Sequence, residues 1–485
     1  MIVVGSGPTG AMVATELSQQ GVPVLMLESG RRRARGIVVR AAGNTVFRWS
    51  SRKGLDTGRE VRSAEPIEWF SSRTLGGGSN YWTGSIPRFS PDDFTDGSRL
   101  DERYRWPVTY DDVEPFYSEV EELIGVTAGR RPLDSIPEPR TRYVQSMPQD
   151  WRAVSERVSL LGSGRSLGLM PMAKGSPWMV ALRATEFNSY DVIVRPLAEE
   201  SRFTLLSGRH VVRVERSRGS DRIDTVIARD RVTGGLENHR ARAIVLAAGS
   251  LDTTEILLRS RSADHPAGLG NGTNLLGRYL HDHPRQWWRV RLDDPMTTLS
   301  HPLYLTRDRL EDHEPLRTAG FTLGLGARRD RVRSWWRGSS SAVGILTFAT
   351  MVPTEDSNVR LEGDRTDPDR SDLAIDLSFD RPTSRLMIES RERCLATLNE
   401  AGVRAREDMA LGVGAPGSSV HLGGTARMHS SREFGVIDGF NRLHDAPEVR
   451  VVDAASFTTG PEKNPTLTAM ALALRSARHL GPMSC

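Results

Sequence analysis

The chain has 485 residues, 38% apolar and 26% charged, enough for two or three domains or one large α/β enzyme. No window approaches the roughly 18 uninterrupted apolar residues of a membrane span, and the 45 Gly and 27 Pro are scattered, which excludes collagen-like and wholly disordered chains. Against 65 basic residues stand 61 acidic ones, a formal +4 over a large surface, so despite a pI near 9.2 no footprint for nucleic acid exists.

Ile2-Val3-Val4 is a short β-branched run entering Gly5-Ser6-Gly7-Pro8-Thr9-Gly10, and a helical pattern follows from Ala11 to Gln20. A second apolar run, Val22 to Leu27, ends in Glu28 and Ser29. Strand, glycine turn, helix, strand and acid in this register predict a dinucleotide site. Gly5 allows the tight turn, Gly7 lets backbone N–H groups approach a pyrophosphate, and Gly10 lets the helix lie close to the strand. The helix start at Pro8 and Thr9 then faces the phosphates. Glu28 can accept hydrogen bonds from ribose hydroxyls, and an acid there disfavours NADP; FAD and NAD both remain open on these residues alone.

Residues 31–70 read as a polar crossing segment. Leu75-Gly76-Gly77-Gly78-Ser79-Asn80-Tyr81-Trp82-Thr83-Gly84 is a backbone-exposing loop that can lie against a flat ring. Residues 190–250 alternate as strands, notably 203–206 and 210–214, and end in Ala243 to Ser250, a buried strand running into a turn at Ala248-Gly249. From about 291 to 414 a separate sheet is expected, with strand-like residues 343–350 and a helix near 384–400. The tryptophan pairs 287–288 and 335–336 suit either a sugar site or plain packing. His281 and His283 flank Asp282 without a third ligand at metal spacing, so a structural loop is the better reading there. Cys394 and Cys485 sit in no CxxC or Cys/His pattern. With no export leader at the start, a reducing, cytoplasmic setting is expected.

The carboxyl-terminal part holds His421-Leu422-Gly423-Gly424-Thr425-Ala426-Arg427-Met428, then 449–454 with Asp453-Ala454, then Asn464-Pro465-Thr466-Leu467-Thr468. Together with the glycine turn and Glu28, the LGGGSNYWTG loop, the AAGS turn and GLGNGTNLLGRYLHDHP, this resembles the glucose-methanol-choline (GMC) oxidoreductases. Those are flavoenzymes that oxidise alcohols. The motifs look most like the pyranose-oxidase and bacterial sugar- or polyol-dehydrogenase branch, and the resemblance is poor over 130–190 and 291–414.

The resemblance implies an α/β fold: a Rossmann-like FAD-binding domain with a parallel sheet, formed by 1–135, 190–290 and 415–485. An inserted α+β substrate domain would comprise 136–189 and 291–414. It implies FAD, held non-covalently because Tyr81 stands where pyranose oxidases carry a flavin-linked histidine. His421 matches the catalytic histidine that takes the hydroxyl proton while hydride passes to flavin N5; Asn464 matches the second catalytic position and would hold the hydroxyl oxygen. Asn464-Pro465 also reads as a helix start, Asn as cap and Pro in the first turn, whose dipole would stabilise anionic reduced flavin.

Further cofactor contacts implied by the resemblance are Arg73, Gly77, Ser79, Asn80, Trp82, Thr83, Val211, Ala248, Gly249, Asp453, Ala454, Pro465 and Thr466. The expected substrate is a ring hydroxyl of a sugar, glycoside or cyclitol, with O₂, a quinone or a cytochrome as electron acceptor. Two alternatives share the motifs: a lyase resembling the family's hydroxynitrile lyases, and a non-catalytic flavin-binding protein.

Overall fold

Ile2–Val4, Val24–Glu28, Phe203–Ser207, Ile244–Leu246 and Val449–Val451 form one five-stranded parallel sheet. Its spatial order places 449–451 beside 244–246, then 2–4, then 24–28, then 203–207. The computed structural model describes residues 1–31, 61–63, 67–68, 72–129, 133–162, 164–174, 187–309, 315–324, 339–363 and 372–480. Most of the 31–70 crossing segment, Trp335, Trp336 and Cys485 lie outside those residues.

All three residues of the first strand are buried, as a parallel strand covered on both faces requires. The helix Pro8–Gln19 packs on it and on the helix Thr466–Arg478, which also lies against Tyr110–Ile124. Ala469, Met470, Ala471, Leu472, Ala473 and Leu474 are buried in succession, so the middle of the last helix is apolar all round, a pattern that only a helix inside a core tolerates. Arg478 at its end pairs with Glu16 at 2.7 Å. The chain's first and last elements thus share one core.

A six-stranded antiparallel sheet forms the second layer. Its order is Ala405–Ala410, Arg285–Thr297, Ser339–Ala349, Thr318–Leu323, Leu303–Arg309 and Leu167–Leu169. The helices Arg381–Glu400 and Gln149–Leu160 cover one face and bury Leu386, Met387, Leu398, Trp151 and Val154 against it. The strand and helix expected within 291–414 are therefore present. Trp288 is wholly buried and donates from Nε1 to Thr347 Oγ1 at 2.9 Å, which makes it a packing residue.

Candidate active site

The glycine turn has the geometry its spacing predicts. Gly5 has φ +102°, and a Cβ there would overlap the Ala247 carbonyl; a Cβ on Gly10 would overlap the Gly5 carbonyl. A Cβ on Gly7 would meet nothing within 4 Å. Two glycines therefore seal strand to helix, and the third opens onto free space. Gly7 caps the helix Pro8–Gln19 with no side-chain hydrogen bond and no acid in the first turn, so its first N–H groups remain for an anionic ligand. Beyond the second strand, buried Glu28 accepts from Ser6 N at 2.8 Å, Ser6 Oγ at 2.6 Å and Gly30 N at 2.6 Å. Burial raises its pKa, and these hydrogen bonds oppose the rise. Ser29 Oγ lies 3.4 Å from His210 Nδ1, and Val211 is buried on the strand Arg209–Arg216.

The second glycine segment packs directly on this turn. Gly77 has φ +53° and a Cβ there would stand 3.4 Å from Gly7 Cα. Ser6 Oγ accepts from Gly76 N at 2.9 Å while donating to Glu28, so one hydroxyl joins both segments. Ser79 Oγ donates to Gly76 O, and Asn80 Nδ2 donates to Leu75 O and Gly77 O, each of the latter at 2.9 Å. Both side chains are turned into the loop, so what they can offer a ligand is backbone. Trp82 Nε1 likewise donates to Phe187 O at 2.7 Å. Arg73 leads into the loop and Thr83 leaves it, both half-buried.

Gly249 has φ +91° and begins the helix Ser250–Arg259; its N–H, that of Ala455 and the Thr253 hydroxyl all donate to Asp453. Burial pushes Asp453 up to about 6 against these donors. Ala248 donates its N–H to Thr253, and the Ala454 carbonyl accepts from Gly424. Two far-apart turns are therefore knotted beside the glycine segments.

At the carboxyl edge of this assembly, His421 Nε2 lies 3.1 Å from Asn464 Nδ2, and the Phe348 ring of the antiparallel sheet lies 5.2 Å from the imidazole. Burial drives the His421 pKa well below 6.5, with neighbouring His283 and Arg285 acting in the same direction. The imidazole is thus neutral at neutral pH, with a lone pair available. The backbone before it is unusual: Val420 has φ +61°, costly for a β-branched residue, and Asp282 holds the bend by accepting from His421 N at 2.9 Å and Ser419 N at 3.2 Å.

The helix-start expectation needs correcting in one respect. Pro465, not Asn464, occupies the cap position of Thr466–Arg478, and no side chain caps that helix. The Asn464 amide reaches His421 instead. His283 lies in a loop, as expected, and its Nδ1 is 2.8 Å from His421 Nδ1, a contact that the sequence does not announce. Phe348 and Ser6 carried no signal beyond strand alternation and the variable position of the glycine turn.

These residues fit a flavin dinucleotide: an open glycine cradle, an uncapped helix start, an acid at the ribose position and a neutral base with an amide partner. Residues 353–473 match the family model described as GMC oxidoreductase, and residues 1–46 match an FAD binding domain. The chain is 30% identical to 6'''-hydroxyparomomycin C oxidase of Streptomyces lividus, over 98% of this chain and 90% of that protein. It is 28% identical to paromamine 6'-oxidase of Streptomyces fradiae (99% and 90%) and 26% identical to C-glycoside 3-oxidase of Microbacterium trichothecenolyticum (99% and 95%). The fold is similar to that of pyridoxine 4-oxidase from Mesorbium loti, with a TM-score of 0.67 at 20% identity over 99% and 98% of the two chains. The chain belongs to the GMC oxidoreductase family and is an FAD-dependent oxidoreductase acting on CH–OH groups.

Proposed function

We propose that the protein oxidises a hydroxyl of a sugar, glycoside or cyclitol to a carbonyl, with His421 as the base. The observation that carries this is the pairing of His421 Nε2 with the Asn464 amide at 3.1 Å beside the Phe348 ring. The relatives named as paromamine and C-glycoside oxidases support the substrate class.

FAD, held non-covalently, supplies a two-electron acceptor for the carbinol hydride. Gly5, Gly7, Pro8, Thr9, Gly10, Glu28 and Ser29 would hold its nucleotide half, with Val211 near the adenine. The backbone of 73–83, of Ala248-Gly249, of Asp453-Ala454 and of Asn464, Pro465 and Thr466 would hold the ring half. His421 removes the hydroxyl proton at Nε2, and Asn464 donates to the hydroxyl oxygen and fixes its aim. The start of Thr466–Arg478 has no side-chain cap and no acid in its first turn, so it offers partial positive charge where electrons arrive. We also assign 136–189 and 291–414 to the substrate-facing unit, and O₂, a quinone or a cytochrome to reoxidation.

The test is anaerobic mixing of the holoenzyme with a panel of glycosides and simple alcohols, followed by flavin absorbance. Bleaching by a glycoside, lost in His421→Ala with FAD retained, is expected. A flavin that stays oxidised with every alcohol removes the proposal and favours a lyase. Oxygen uptake on any active substrate then separates oxidase from dehydrogenase.

A further inference from the structure

His283 is buried beneath His421, and the two rings meet edge to face with their Nδ1 atoms 2.8 Å apart. Two neutral imidazoles so placed share one hydrogen: one Nδ1 donates and the other accepts. Resting on the reading of His421 as base, we propose that His283 is a positioning residue that fixes His421 in its Nδ1–H form, which leaves the lone pair on Nε2, where a substrate hydroxyl would take the place of the Asn464 amide and give up its proton.

Three contacts choose the direction of that hydrogen. Asn464 presents its amide nitrogen, a donor, to His421 Nε2. An Nε2–H on His421 would confront that donor, so Nε2 carries the lone pair and Nδ1 the hydrogen. His283 Nδ1 must then accept, which places the His283 hydrogen on Nε2. That edge is buried against Gly460 and Pro461; it closes no hydrogen bond of good geometry there, but Pro461 has no N–H and can offer only a carbonyl. The opposite arrangement would set an N–H of His421 against an amide N–H. From Asn464 through His421 to His283 Nδ1, donors and acceptors match only one way.

The consequence appears during reaction. The substrate O–H bond breaks, its proton goes to His421 Nε2, and the carbinol hydride leaves with its electron pair for the flavin, so alcohol becomes carbonyl. The imidazolium formed donates through Nδ1–H to an acceptor already in place, a charge-assisted hydrogen bond that needs no rearrangement. Asp282, between the two flanking histidines, holds the main chain of residues 419 and 421, so adjacent residues fix the base's backbone and its tautomer separately.

The test uses the holoenzyme. In ¹⁵N spectra of histidine-labelled protein, assigned with His283→Asn and His421→Asn variants, His421 is expected to show a protonated Nδ1 and an unprotonated Nε2, and His283 the reverse. His283→Leu removes the acceptor and is expected to slow anaerobic flavin reduction about 10- to 100-fold with KM little changed. His283→Asn can place a carbonyl oxygen near the Nδ1 position and is expected to restore most of the rate. An unprotonated Nδ1 on His421, or full-rate reduction in FAD-loaded His283→Leu, overturns the proposal. Should the Leu variant fail to load FAD, the wild-type spectrum decides. Reduction that survives His421→Ala would instead sink the base assignment, a separate outcome from the tautomer result.

Discussion

The parallel sheet is made of strands three to five residues long, and its glycine turn admits no side chain at Gly5 or Gly10, while the antiparallel sheet has strands of up to 13 residues. Its Gly168 borders the movable end of a side chain: a Cβ there would meet a Leu133 methyl, where one on Gly10 would meet backbone. In the first region a backbone requirement dictates the residue. In the second, alternation of apolar and polar positions dictates only a class of residue, so many sequences would serve. The surroundings of the glycine turn are therefore rigidly prescribed, and the antiparallel sheet is free to vary.

The sharpest way to break that contrast is a matched pair of alanines. Gly10→Ala is expected to lose about 3 kcal/mol or more and to purify colourless, whereas Gly168→Ala costs about 1 kcal/mol and keeps its flavin. Thermal melts and the flavin absorbance of the two proteins check this; equal losses would erase the distinction. Next in size, His421→Ala should lower the rate of flavin reduction at least about 100-fold without changing FAD content, since a positioned base contributes on the order of 10²–10⁴.

A smaller loss is expected at the hydroxyl that joins the two glycine segments. Ser6→Ala removes the link between Glu28 and Gly76 and should weaken FAD binding about tenfold, read by titrating FAD into apoprotein. On the antiparallel sheet, Arg404→Ala breaks an exposed pair with Asp294 and should change stability by less than about 0.5 kcal/mol. The pH profile sharpens the picture of the site between them. Burial lowers the His421 pKa, and the base must be unprotonated, so kcat/KM for flavin reduction should stay level down through pH 6.5 and fall only at lower pH. An acid limb centred at or above 6.5 would contradict a buried neutral imidazole.

The same contrast explains what could be read before any coordinates. Gly5, Gly7 and Gly10 were legible because tight turns and close approaches map onto one residue type. His421 and Asn464 were legible through motifs that resemble a family. The His283–His421 contact joins residues 138 apart in the chain, and no local spacing announces it. Asn464-Pro465 fits a helix start and a substrate contact equally well as a dipeptide; only the direction of the amide separates them. Phe348 was visible as part of a strand, but which face it would turn toward the imidazole depends on register with strands Arg285–Thr297 and Thr318–Leu323.

The strand order of the parallel sheet sets a timetable for biosynthesis. The opening strand is flanked on one side by residues 244–246, whose outer neighbour is 449–451, and its helix rests on one that begins at Thr466. A growing polypeptide therefore makes the glycine turn long before the outermost strand and the helix that supports it. Such long-range pairing is slow to form. The core beneath the glycine turn is accordingly completed only after residues 466–478 have been made.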